Sequence, residues 1–317
     1  MSYVDMGKVA ISQPLRAAHF ELPRATVLQD AFKRCVTDYY MSRDIGGKEA
    51  RGLIITGHSR VGKSHETAKL LADFNQSETL MPDGRPGKIV SCVLSGRVTW
   101  KDLGIKTLNS LGYKIKRSNS QSYIWERVAD QVEGQGVIGI HYDECQHVFS
   151  EGASTNRIFL DSFKAIMKET RWPLMLIISG VPILTKFVQP YEQLWELLDP
   201  VHFETIHIKH DIALLNSLLF AFADKADVDI EGLSTQDFLE RINHACSNRW
   251  GLVIELAIET FVRCRMAGKT KVGVKDFAEV FAQKTGTPLK HSPFTAPDFQ
   301  EIFDPVKLLE LFDERSR

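Results

Sequence analysis

Residues 52–74 read GLIITGHSRVGKSHETAKLLADF. A short apolar run meets a glycine, a polar stretch and a second glycine follow, and a helical repeat begins at once. Gly57-His58-Ser59-Arg60-Val61-Gly62-Lys63-Ser64 fits the pattern G-x-x-x-x-G-K-[ST]. At ordinary residue usage that pattern arises by chance in roughly one chain in a hundred of this length. The flanking strand and amphipathic helix narrow the odds, because the chemistry of the pattern needs both. Glycines let backbone N–H groups curl around phosphates, and a helix N-terminus adds free donors and the positive end of its dipole. In such a loop Lys63 reaches the β- and γ-phosphates of ATP and the Ser64 hydroxyl ligates Mg²⁺. The plainer alternative is a glycine-rich turn with a surface lysine.

The rest of the chain supports a parallel α/β core. Apolar runs occur at 53–56, 88–94, 137–142, 174–179 and 203–208. The middle three are continuous or β-branched, as buried parallel strands are. Helical spacing separates the runs, at Lys63–Phe74, Trp100–Leu111, Tyr123–Val132, Ile158–Lys168 and Tyr191–Leu198. Strand and helix in alternation imply a five-stranded parallel sheet, flanked by helices and joined by right-handed crossovers. Past residue 209 only helical patterns follow, at Asp211–Lys225, Thr235–Asn248, Leu252–Met266 and Val274–Lys284. Ser234 is the expected cap of the second, with Asp237 three residues on.

The expected organisation is a helical extension over 1–50, an α/β nucleotide-binding core over 51–209, a helical lid over 210–285 and an extended tail over 286–317. Within the extension, residues 1–25 read as irregular and Thr26–Tyr40 as a helix. The tail is rich in Pro and Thr, and a short amphipathic helix is expected around Val306, Leu308, Leu309, Leu311 and Phe312.

A phosphate loop needs an acidic partner at the end of a buried strand, and VIGIHYDE supplies Asp143 and Glu144. Asp143 is placed to hold the Mg²⁺ shell. Glu144 is placed to orient and deprotonate the attacking water. Gln146 occupies the fourth position of DECQ, where helicase boxes carry Asp or His. His141 and His147 lack a third ligand at a metal spacing. Ser179 ends the next apolar run and could sense the γ-phosphate; it could equally open a loop before Gly180. Arg249, just before a helix in CSNRWGLV, could reach the phosphates from the lid or be a solvated arginine.

Phosphate loop, second strand, DECQHVF, sensor strand and helical lid, in that order, resemble a P-loop AAA+ ATPase. More narrowly, the chain resembles the TniB and TnsC transposition ATPases, with MuB more distant. The likeness runs over about residues 30–285 and rests on Asp143, Glu144 and His147, on RIFLDSFKAIMKETRWPLMLIISG, and on HSPF in the tail. It implies ATP hydrolysis, ATP-dependent self-assembly into a ring or filament on double-stranded DNA, and recruitment of a transposase. A replication-initiator or helicase-loader type ATPase shares the same core, and a non-catalytic nucleotide-gated scaffold is the third expectation. Members of the family carry Ser-Arg-Phe shortly before their fifth strand, where this chain has His202-Phe203. An arginine acting on a neighbour's nucleotide must then come from elsewhere, such as Arg157 or Arg171, or hydrolysis is slow. Val181 likewise stands where the family has Thr after Gly180.

Net charge is −1 over 317 residues, so a nucleic-acid surface has to be local. Lys101, Lys106, Lys114, Lys116 and Arg117 supply one, or else form a solvated face. Five scattered cysteines, none at metal spacing, fit reduced thiols in a cytoplasmic protein. No apolar run is long enough to span a membrane.

Overall fold

The computed structural model describes residues 3–47, 49–152, 154–168 and 171–305. The chain divides into two compact units, Leu22–Glu204 and Met1–Glu21 with Thr205–Arg317. Residues 1–50, expected as one extension, are therefore shared between them. The stretch expected to be irregular contains α1 (Met6–Arg16), despite Pro14; the Asp5 side chain caps it by accepting from the Lys8 N–H. This helix packs on the helical unit.

In the first unit, α2 (Pro23–Asp44) starts on a proline, which fits the first helical position because no N–H is needed there. There follow β1 (Gly52–Gly57), α3 (Lys63–Gln76), β2 (Lys88–Val93), α4 (Trp100–Ser110), α5 (Gln121–Gln135) and β3 (Val137–Asp143). Then come α6 (Thr155–Met167), β4 (Met175–Gly180), the short α7 (Ile183–Val188) and α8 (Glu192–Trp195), and β5 (Leu198–Phe203). The strands form one parallel sheet in the order β2-β3-β4-β1-β5.

The fifth strand lies five residues earlier than its apolar pattern indicated. LDPVHF forms the strand, and the expected helix over 191–198 shrinks to a single turn. Pro200 disguised it, since proline cannot donate to a ladder. β5 is an edge strand, where one missing donor is tolerated.

Alternation along the strands divides the core between the two faces of the sheet. Ile54, Ile140, Tyr142, Leu176 and Ile178 pack on one face with residues of α4, α5 and α6. Leu53, Ile55, Ile138, Met175 and Ile177 pack on the other with α2 and α3. The strand C-termini, where loops can gather functional groups, thus share one end of a three-layer sandwich.

The second unit contains α9 (Ile208–Ala226), α10 (Gln236–Ala245), α11 (Trp250–Met266), α12 (Val274–Thr285) and a short α13 (Phe299–Ile302). Thr235, not Ser234, caps α10: its hydroxyl accepts from the Phe238 N–H at 3.2 Å, while Ser234 closes the preceding turn. Residues 286–305 form a strap on this unit. Phe294 is buried against Phe238, Phe277 and Phe281, and Arg241 donates to the carbonyls of Pro293 and Ala296. The amphipathic segment expected from Val306 onward lies outside the described residues. Among the described residues no helix is long and apolar enough to cross a membrane, and all five cysteines are free and buried.

Candidate nucleotide site

β1 is buried along its whole length and delivers the chain to the loop at the C-terminal end of the sheet. A Cβ on Gly57 would lie 2.6 Å from the carbonyl oxygen of Phe203 on β5, so only glycine lets the loop start there. Gly62 has φ 103°, in the left-handed region, and Arg60 is also left-handed at φ 64°. Left-handed residues placed among right-handed ones turn successive N–H groups to one side, the concavity that binds anions. His58, Ser59 and Arg60 are exposed, while Val61 is buried in the core beneath and anchors the loop. α3 has no side-chain cap at Gly62 and turns its N-terminus, the positive end of the helix dipole, to the loop. Lys63 is 4% exposed, and its Nζ donates back across the loop to the carbonyls of Gly57 (2.8 Å) and His58 (2.9 Å).

β3 ends in Asp143. The sheet order inserts β4 between β1 and β3, which sets Ser179 beside Asp143 despite a separation of 36 residues. The Ser179 hydroxyl donates to Asp143 Oδ1 at 2.6 Å, and the Glu144 N–H donates to the same oxygen at 2.9 Å. The Ser64 hydroxyl is near enough to Asp143 to favour its charged form, which relates the phosphate loop to the acidic strand end. Burial pushes the Asp143 carboxyl up. The hydrogen bond from Ser179, the nearby Ser64 hydroxyl, His141 and the Glu144 N–H outweigh burial, and the group stays below its ordinary value. A carboxylate and a hydroxyl make an all-oxygen donor pair, which suits a hard cation such as Mg²⁺.

Glu144 has φ 56°, a left-handed turn that swings its side chain off the strand line. Its Oε2 accepts from Gln146 Nε2 at 2.5 Å, and Gln146 Oε1 accepts from the Val181 N–H at 3.3 Å. Gln146, which separates this box from helicase motifs, thus clamps Glu144 to the loop after β4. His141 bridges Ser91 and Ser179 through its two ring nitrogens, at 2.8 Å each.

The structure brings Gly57–Ser64, Asp143, Glu144 and Ser179 together at one end of the sheet. Arg249 lies in the helical unit as the N-cap of α11, half-buried, with no hydrogen-bond partner for Nε among the described residues. Burial lowers its pKa.

Sequence reasoning missed Arg24. It sits in the first turn of α2, its guanidinium lies 5.4 Å from the centre of the Phe203 ring, and Nη2 lies against Gly62. Burial pulls its pKa down to about 10, opposed by Glu66 in the first turn of α3. No spacing rule links residue 24 to the loop; the only signal was a basic residue at the head of a helix. His202-Phe203, expected ahead of the fifth strand, instead ends it. His202 Nδ1 meets the Thr56 hydroxyl at 3.0 Å, so this pair helps build the floor of its own loop.

Residues 46–188 match the family model described as the AAA domain. No curated protein sequence matches the chain. Among solved structures it is similar to the Aeropyrum pernix ORC1 protein in complex with DNA (TM-score 0.60, 11% identity, 86% of this chain and 69% of that one). It is also similar to the A. pernix ORC2 protein in ADPNP–ADP complexes (TM-score 0.57, 12% identity, 86% and 72%). Cdc6p from Pyrobaculum aerophilum is comparable (TM-score 0.56, 11% identity, 88% and 75%). Likeness at such identities concerns the fold, which is that of a P-loop AAA+ α/β core followed by a helical region.

Proposed function

We propose that the chain binds and hydrolyses ATP, and that its ATP form assembles on double-stranded DNA and recruits or activates a transposase. The observation carrying the reading is the convergence of Lys63, Ser64, Asp143, Ser179 and Glu144 at the C-terminal end of one sheet. In this reading the N–H groups of the loop and Lys63 hold the phosphates, and Ser64 and Asp143 hold Mg²⁺. The cation supplies charge neutralisation on the β- and γ-phosphate oxygens. Glu144 accepts the proton of the water that attacks the γ-phosphorus, and ADP leaves. Ser179 and Arg249 are the proposed γ-phosphate contacts, and Arg24 is added on the strength of its place against Gly62.

The DNA part rests on the resemblance to the TniB and TnsC group and on the local basic segment. Lys101 and Lys106 lie on α4, and Lys114, Lys116 and Arg117 are exposed in the loop after it. Contacts from such groups to the backbone are independent of sequence and sensitive to salt. A replication-initiator or loader role is the second reading, favoured by the similarity of fold to the ORC and Cdc6 proteins.

For an arginine acting in trans, Arg157 is the better of the two expected residues. It lies 78% exposed in the first turn of α6, whereas Arg171 is held by Asp130 (3.0 Å) and Glu133 (2.5 Å) near the entry of β4. The deciding experiment images the protein with duplex DNA and ATP, then with ADP, at low salt. DNA-bound oligomers with ATP only are expected; their absence would refute the reading. Stimulation of a transposase, rather than loading of a helicase, separates the two clients.

A further inference from the structure

β3 is buried throughout, and all but its end is apolar save for His141, 3% exposed. An imidazole in such a strand costs desolvation unless both nitrogens are satisfied, and here both are. The direction of the two bonds from His141 to Asp143 can be assigned. Asp143 is ionised and can only accept, so the Ser179 proton lies on the bond to Oδ1. A hydroxyl has one proton, so Ser179 must accept from His141, and Nε2 carries the hydrogen. The other ring nitrogen, Nδ1, meets the Ser91 hydroxyl at 2.8 Å. Ser91 lies on β2, an edge strand, and is exposed.

Hydrogen bonds therefore run one way from His141 through Ser179 to Asp143, with the Ser91 hydroxyl on the far side of the ring. Oδ1 of Asp143 also takes the Glu144 N–H, which fills that oxygen and leaves Oδ2 for a cation. Without the donor at Nε2, the Ser179 hydroxyl could rotate and bond elsewhere, and the carboxylate would lose its fixed orientation.

We propose that His141 is a positioning residue of the nucleotide site: by donating to Ser179 it commits that hydroxyl to Asp143 Oδ1, and so aims Oδ2 at the cation that accompanies the nucleotide. The proposal rests on reading Gly57–Ser64 as the nucleotide loop. It predicts that His141 matters for the contribution of Mg²⁺ to nucleotide binding and not for binding in its absence.

The test measures the Kd of a fluorescent ADP analogue on the full chain, with Mg²⁺ and with EDTA. His141→Phe should bind within about twofold of wild type in EDTA, while the tightening by Mg²⁺ falls about tenfold, the scale of one hydrogen bond to a charged group. Ser179→Ala should lose the Mg²⁺ tightening of ADP, which has no γ-phosphate for Ser179 to meet, to a similar degree, and the double variant should show no further loss of it, because both residues act through one bond. His141→Gln, whose amide can still donate to Ser179, should recover most of the loss. An unchanged Mg²⁺ effect in His141→Phe, or additive losses in the double variant, would overturn the proposal. If the Phe variant does not fold by circular dichroism, Gln and Asn variants decide it. Gln should keep the Mg²⁺ effect and the shorter Asn should lose it; equal effects overturn the proposal. A wild-type chain that binds no nucleotide sinks the site itself, a different outcome from wild-type binding with an indifferent His141.

Discussion

Glu144→Gln isolates chemistry from binding. The change keeps the shape of the side chain and removes its charge and its capacity to take a proton. In the structure the Glu144 carboxylate accepts from Gln146 Nε2 at 2.5 Å. Replacing a charged acceptor by a neutral one weakens that bond by about 1 kcal/mol. For a unit the size of Leu22–Glu204 this corresponds to a loss of about 2–4 °C in Tm. ATP affinity should stay within about threefold, since the groups assigned to the phosphates are Lys63 and the loop N–H donors. Turnover should fall by about 10²–10⁴, the usual contribution of a positioned base. Calorimetry, a phosphate-release assay and a binding titration read the three quantities separately. If the variant follows the stability and binding forecast and hydrolyses at more than a tenth of the wild-type rate, Glu144 is not the base. If it loses ATP binding altogether, its role is structural.

Lys63→Ala should abolish nucleotide binding with or without Mg²⁺, measured by the same titration; retained affinity would sink the phosphate-loop assignment. Arg24→Ala should weaken ADP binding about tenfold, because it removes a cation seated against the loop, and unchanged affinity would make Arg24 a packing residue. Arg157→Ala should lower DNA-stimulated hydrolysis by at least about tenfold without affecting ADP affinity, while Arg171→Ala should leave hydrolysis intact. Replacing Lys114, Lys116 and Arg117 together by Ala should reduce the slope of log affinity for duplex DNA against log salt by roughly two to three, about 0.9 for each lost phosphate contact. An unchanged slope would move the DNA surface elsewhere.

The parts of the fold that were legible are those in which one local pattern carries the signal. β1, the loop and α3 follow each other without a gap, and β3 and β4 are continuous apolar runs whose burial leaves little choice. The edge strand failed because its proline argued against a ladder that only a central strand would need intact. α1 failed because Pro14 breaks its helical pattern, and Leu15 is the one residue of the helix that is fully buried.

The site divides on the same line. Gly57–Ser64 and the Asp143–Glu144 pair belong to single segments, and their chemistry could be assigned from those segments alone. Arg24, Gln146 and His141 could not, because each acquires its role from a neighbour brought in by the sheet order. Placing β4 between β1 and β3 puts Ser179 between the phosphate loop and Asp143, and only then does His141 become a link rather than a core histidine. The same geometry turns His202-Phe203 from a substitute for a missing arginine into the floor under Gly57. An arginine at position 202 would stand opposite Thr56, one residue before the end of β5, and would replace the ring that meets the Thr56 hydroxyl in its own subunit. Restoring the family motif by His202→Arg should therefore disturb the chain's own nucleotide site. ADP affinity should fall in the monomer, measured at concentrations too low for assembly; faster DNA-dependent hydrolysis with unaltered ADP binding would show that position 202 serves a neighbour after all.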